Sequence, residues 1–109
     1  MPHYMLQGRY SPSSIKAMIV NPQDREAAAR KVVEAVGGKL LGFYFAFGED
    51  DFVAIFEAPD DTAAAALSMT VGATGGFSGG RITKLLTPKE SVAAMNAAKA
   101  AVGKYSAPA

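Results

Sequence analysis

The chain has 109 residues, 50% of them hydrophobic and 19% charged, with 11 Lys and Arg against 10 Asp and Glu for a formal net charge of +1. That length accommodates one core and no second independent one. The composition excludes wholesale disorder, and the balanced charge provides no global field that would draw nucleic acid or an anionic membrane. The absence of Cys excludes disulfides, Cys-ligated zinc, iron–sulfur clusters and thiol nucleophiles.

The opening, MPHYMLQGRY, lacks a basic flank followed by a long apolar core, and no apolar run approaches the ~20 residues of a membrane span. A cytoplasmic protein is expected. Residues Pro2 to Tyr10 set Tyr4, Leu6, Gly8 and Tyr10 against His3, Met5, Gln7 and Arg9, a period of two that predicts a first strand. Ser11-Pro12 and Asn21-Pro22 each join a capping residue to the proline that suits the first helical position. They predict a short helix and then a longer one over Pro22 to Val36, with Ala29, Val32, Val33 and Val36 on its apolar face. Arg25, Glu26, Arg30, Lys31 and Glu34 fall on its other faces, and Gly37-Gly38 ends it, because glycine enters the left-handed C-cap conformation freely.

The centre of the chain is GGKLLGFYFAFGEDDFVAIFEAPDD. Two β-rich runs, Leu40 to Phe47 and Phe52 to Phe56, flank the turn residues Gly48, Glu49, Asp50 and Asp51, which predicts a hairpin. Pro59 closes its second strand. Asp60 or Asp61 then caps a helix from Thr62 to about Val71, whose alanines from Ala63 to Ala66 let it lie close to a sheet. The glycine-rich stretch Gly72 to Gly80 fits neither phosphate-binding spacing, GxGxxG or GxxxxGK[ST], and is expected to be a flexible connection. Arg81 to Leu86 predicts the fourth strand. Thr87-Pro88-Lys89-Glu90 is a capping box that starts a last helix to about Val102, so that residues 1–102 form one domain and 103–109 a frayed tail.

The resulting order predicts an α+β, ferredoxin-like βαββαβ fold with an extra C-terminal helix, its four-stranded antiparallel sheet covered by helices on one face. The opposite sheet face would carry Phe43, Phe45 and Phe47 in one register, or Leu40, Tyr44 and Ala46 in the other. Either is apolar enough to mark a contact surface, so we expect a homodimer through the open sheet face, with higher oligomers an open alternative.

The motifs Gly42-Phe43-Tyr44, Gly48-Glu49-Asp50-Asp51 and Glu57-Ala58-Pro59-Asp60-Asp61, with Asn21-Pro22-Gln23-Asp24-Arg25 and Gly37-Gly38-Lys39-Leu40, resemble the small bacterial GYD domain family over most of the chain. Its Gly-Tyr-Asp signature stands in a G-x-Y-D context before the third strand. Gly48 and Asp51 match it here, and Asp50 stands in place of the tyrosine. The resemblance implies membership of the dimeric α+β barrel group and no settled activity.

Among residues that can carry chemistry, His3 is the single histidine and can act as a base or hydrogen-bond donor, or sit satisfied at a solvent edge. Glu49, Asp50 and Asp51 form either a solvated turn or, if one points into a cavity, a proton-transfer group with a raised pKa. Consecutive carboxylates seldom converge on a cation and no EF-hand loop or His-plus-carboxylate set exists, so no metal and no cofactor are expected. Tyr44 presents a phenol that can orient a ligand or simply pack. Arg81 can hold an anionic group or pair with a hairpin carboxylate. The methionines read as core filler. Basic residues are interleaved with acids and lack an aromatic platform, which argues against nucleic acid.

The leading expectation is a small-molecule-binding homodimer with an apolar cavity and Tyr44, His3 and Arg81 as its polar contacts. One alternative, drawn from fold analogy, is a cofactor-free oxygenase, isomerase or lyase acting on a small activated aromatic or lactone-like compound, with His3, Glu49 or Asp51 transferring the proton. The other is an assembly module without a ligand.

Overall fold

The computed structural model describes residues 1–109. Its elements are β1 (His3–Tyr10), α1 (Pro12–Val20), α2 (Glu26–Ala35), β2 (Lys39–Phe45), β3 (Phe52–Glu57), α3 (Asp61–Gly72), β4 (Phe77–Leu85) and α4 (Pro88–Ala101), with one 3-10 turn over Val102–Lys104. Each helix start has a chemical cause. Ser11 Oγ accepts from Ser14 N at 3.2 Å before α1, and Asp60 Oδ1 accepts from Ala63 N at 2.9 Å before α3. At α4 the capping box is complete: Thr87 Oγ1 accepts from Glu90 N and Glu90 Oε1 accepts from Thr87 N, satisfying amides that the helix itself leaves unpaired. α2 ends where Gly37 takes φ +84° and the amides of Gly37 and Gly38 turn back to Glu34 O and Val33 O.

The strands form one antiparallel sheet in the order β2-β3-β1-β4. This is the expected α+β architecture with its added C-terminal helix. The barrel implied by the resemblance is corrected, however: the sheet is not closed, because β2 and β4 are both edges and no ladder joins them. Four strands rotated by about 20–25° per pair stay far from closure.

The register decides which side chains share a face. Tyr4, Leu6 and Gly8 lie opposite Phe56, Ala54 and Phe52, and these face the helices. On β2 the ladder shifts between Leu40 and Gly42, so that Leu40 pairs with Phe56, Phe43 with Ala54 and Phe45 with Phe52. The extra residue, Leu41, re-phases the strand. Leu40, Phe43 and Phe45 therefore belong to the helix side and Tyr44 to the open side, a division that neither simple alternation of β2 allows. Phe56 is fully buried, with Leu67 of α3 and Val33 of α2 nearly so, and they anchor a core that runs between the sheet and α2–α3.

Two boundaries differ from expectation by more than two residues. α2 begins at Glu26 and not Pro22, because the Asn21 amide is spent closing α1 on Ala17 O and Asp24 Oδ1 instead accepts from Glu26 N at 2.8 Å. β4 begins at Phe77, so half of the glycine stretch is strand. Gly79 and Gly80 pair with Arg9 and Gly8, and a Cβ on Gly8 would lie 2.8 Å from Gly79 O, so the glycines permit a close backbone approach. α4 buries none of its residues and leaves Val92 and Met95 exposed, which contributes to the elongated 59 × 35 × 21 Å shape. No helix is long and apolar enough to cross a membrane.

Candidate functional site

A cavity of about 510 Å³ opens between the helix side of the sheet and α1, α2 and α3. Its floor is Leu6 and Tyr10 of β1, Phe52 and Ala54 of β3 and Phe43 of β2, while Met18, Ala29, Val32 and Leu67 wall it from the helices. The floor is aromatic and preorganised. Tyr10 stacks on Phe77 at 5.1 Å and on Phe45 at 6.1 Å and tilts against Phe52 at 5.2 Å, and Phe52 stacks on Phe43 at 6.0 Å. Such ring pairs hold their geometry beyond what area burial alone would give.

Polar groups are few. Arg25 is the only charged residue lining the cavity, joined by the Tyr10 phenol and by Ser14, Gln23, Thr70 and Thr74. The chain from Asn21 to Arg25 is braced locally: Gln23 Nε2 donates to Asn21 O at 3.1 Å and Arg25 Nη1 donates to Gln23 Oε1 at 2.8 Å. Burial pushes the Tyr10 phenol up, with the neighbouring Arg25 guanidinium opposing the shift and Asp51 adding to it. At the same end, Asp51 Oδ2 accepts from Tyr10 N at 2.9 Å and Asp51 N donates to Gly8 O at 2.8 Å. The Asp51 carboxylate thus ties the hairpin turn to β1.

The residues singled out in the sequence are dispersed. Tyr44, Gln7 and Arg81 share a row across the open face, with Val53 between Tyr44 and Gln7. That row spans three strand spacings, roughly 14 Å from Tyr44 to Arg81. His3 stands at the far end of β1, where its Nε2 lies 3.3 Å from Glu57 Oε1 and its Nδ1 is buried without a partner. Arg81 donates to Asp50 Oδ2 at 2.9 Å, so the residue in the signature position anchors the hairpin turn to β4. Glu49 is exposed. None of His3, Tyr44, Glu49, Asp51 and Arg81 lines the cavity, and no group of three or more His, Asp or Glu side chains converges.

The alternation of β1 already sets Tyr10 on one face with Tyr4 and Leu6, whereas Arg25 reads as a surface charge although its spacing of four, seven and eleven residues to Ala29, Val32 and Val36 sets it on their face. A second polar cluster sits at the other end of the sheet. Tyr4, 2% exposed, donates to Asp61 Oδ1 at 2.5 Å, and Lys84 Nζ lies 3.1 Å from the same oxygen. The hydrogen bond to Asp61, with burial and the charges of Asp61 and Asp60, pushes the Tyr4 phenol up to about 12.

The sequence profile of the GYD domain family matches residues 4–95. The chain belongs to the GYD domain family. The match spans all four strands and enters α4. No curated protein matches the chain. Among solved structures this GYD domain is similar to MtbAldR, at 18% identity and a TM-score of 0.54, covering 79% of this chain and 52% of that one. It is also similar to FFRP-DM1, at 8% identity and a TM-score of 0.49, covering 79% of this chain and 100% of that one. The GYD domain spans about half the length of MtbAldR, and at that identity the likeness is one of fold.

Proposed function

We propose that this GYD domain protein binds a small, largely apolar molecule in the cavity between its sheet and helices, and that it does so as a homodimer in the cytoplasm. The observation that carries the reading is the cavity itself. Its volume of about 510 Å³ falls in the range of about 300–1,000 Å³ typical of ligand sites, and its apolar walls with a few convergent polar groups have the usual composition of such sites. The stacked floor of Tyr10, Phe43, Phe52 and Phe77 needs no rearrangement to receive an apolar group, which favours affinity because little ordering remains to be done.

The homodimer is supported by the open sheet face. Its centre is Met5, Val53 and Ile55, with Tyr44 beside them, and its margin carries Lys39, Glu57 and Arg81. An apolar centre within a charged rim is the arrangement of association surfaces. Sedimentation of the intact chain and of Ile55→Lys tests it: a dimer that the substitution dissociates is expected, and an unchanged dimer would place the contact elsewhere.

Ligand binding is tested by native mass spectrometry of protein purified gently from its own host, followed by denaturation. A bound mass released on denaturation is the expected result. If no mass is carried, titration with ethylbenzene, followed by amide shifts of the cavity residues, decides the point. No shift at Val32, Phe52 or Leu67 with millimolar ethylbenzene, nor with phenylacetate or phenylacetamide, would overturn the reading.

A further inference from the structure

We infer that the cavity selects a small aromatic carboxylate, with the carboxylate held by Arg25 and the Tyr10 hydroxyl and the ring laid against Phe43, Phe52 and Phe77. The inference rests on the cavity being a ligand site and names the class of molecule that it takes.

The argument begins with Arg25. It is half-buried at the cavity wall and no carboxylate pairs with it. The acids around it are all engaged elsewhere: Asp24 Oδ1 accepts from Glu26 N, Glu26 Oε1 accepts from Arg30 at 3.3 Å, and Asp51 Oδ2 accepts from Tyr10 N. The side-chain partners of Arg25 are both neutral, the Gln23 oxygen at 2.8 Å and the neighbouring Tyr10 phenol. A guanidinium has five donors in a planar fork, and two neutral partners leave donors of that fork free for an anion. A cation beside an apolar wall and without a counter-charge attracts an anion more strongly than it would in water, because the surrounding dielectric is low.

The Tyr10 hydroxyl supplies the second donor. It lies on the cavity floor beside Arg25 and stays protonated at neutral pH, since burial raises its pKa. Together these groups favour one charged end of a ligand; no acidic side chain lines the cavity, and the Asp51 carboxylate, whose charge reaches the Tyr10 phenol, accepts from the Tyr10 amide outside it. The rest of the site is chemically different. Phe43, Phe52 and Phe77 offer ring faces and edges, and Ala54 and Ala29 leave the room between them. A ligand with a flat apolar body and one carboxylate satisfies both halves. A phosphate ester, larger in charge and hydration, would waste the apolar walls.

The experiment is a titration of the full-length protein with phenylacetate, with its neutral counterpart phenylacetamide and with ethylbenzene, followed by amide shifts in ¹H–¹⁵N spectra. Phenylacetate is expected to bind about ten- to a hundred-fold more tightly than phenylacetamide, the factor that a charge-assisted hydrogen bond contributes. Arg25→Gln should abolish that preference and Arg25→Lys should retain part of it, each with an otherwise wild-type spectrum. If the acid and the amide bind equally to the wild type, or if Arg25→Gln keeps the preference, the anion assignment is overturned while the cavity remains a ligand site. If none of the three probes shifts the cavity amides, the ligand site itself falls, and the carboxylate assignment with it. The comparison of acid with amide on the wild type needs no variant, so a misfolded substitution cannot mask the result.

Discussion

Replacing Ala29 with leucine tests whether the space between α2 and the sheet is available to be filled. Ala29 is half-buried, lines the cavity and packs at the edge of the core. The substitution adds three carbons. Each buried carbon contributes about 0.8 kcal/mol, giving an upper value of about 2.4 kcal/mol. Fixing the leucine rotamer costs about 0.5–1 kcal/mol, and helix propensity changes little. A net gain of about 1.5 kcal/mol follows, equivalent to a rise of roughly 6–10 °C in Tm for a domain of this size. Circular dichroism on thermal and urea denaturation measures it, at matched protein concentration so that association does not enter. The same variant should lose ethylbenzene binding. A fall in stability of more than about 1 kcal/mol, the cost of overpacking a filled core, would mean that the volume is not accessible in solution. A gain in stability with unchanged binding would put the ligand elsewhere.

Four further outcomes follow from the same packing and charges. Tyr4, raised from 10.0 to about 12 chiefly by its hydrogen bond to Asp61, keeps its proton in the folded state. Its contribution is therefore full below pH 10 and lost as pH rises through about 12. Tyr4→Phe should flatten that alkaline limb in denaturation midpoints, leaving the part due to Tyr10, and an unchanged limb would refute the assignment. On the acid side, Asp61 is lowered by the Tyr4 hydrogen bond and Glu90 by the Thr87 backbone amide. Both contribute above their unfolded values of 3.8 and 4.5 and lose that contribution as pH falls through the depressed ones, so Asp61→Asn should shorten the acid limb. Gly38→Ala would bring a Cβ to 2.3 Å from Glu57 O, whereas Gly48→Ala meets nothing within 4 Å. Chemical denaturation should give a loss of about 3 kcal/mol for the first and within about 0.5 kcal/mol of wild type for the second. Deleting residues 88–109 removes a helix with no buried residue and should leave Tm within about 3 °C in dilute solution, where a larger fall would show that α4 is packed.

The fold was legible wherever a local rule coincided with the tertiary demand. The alternation of β1, the Asp60 cap, the Thr87–Glu90 box and the Gly37 stop all encode their structure within four residues, and each is present. What failed were places where the outcome depended on a distant strand. The glycines at 79 and 80 read as a flexible loop because nothing near them signals a partner, and only the approach of Gly8 explains why small residues are extended there. Leu41 is apolar like its neighbours, so no pattern in β2 marks it as the bulge; the ladder with β3 does. Closure into a barrel was inferred from kinship and not from residues, and the edges of β2 and β4 overturn it.

An apolar cavity with Tyr44, His3 and Arg81 as its polar contacts is the expectation from the sequence; Tyr44 and Arg81 stand on the open side of the sheet and His3 at the far end of β1, while the cavity lies between the sheet and the helices. Enclosure needs a second layer, and only the helix side has one. Two of the polar side chains that line the cavity meet at the junction of β1 with the segment preceding α2, Tyr10 on the floor and Arg25 at the wall. The spacings of four, seven and eleven residues to Ala29, Val32 and Val36 put Arg25 on the apolar face of the wheel whichever residue starts α2. The helix starts at Glu26, whose amide donates to Asp24 Oδ1, with Arg25 at its N-cap position and the bond to Gln23 holding the guanidinium at the cavity wall. At Arg25 two signals oppose each other: as a charge it reads as solvated surface, as the residue four before Ala29 and seven before Val32 it reads as inward, and it stands half-buried at the pocket wall, so the periodicity carried more information about its place than its charge did.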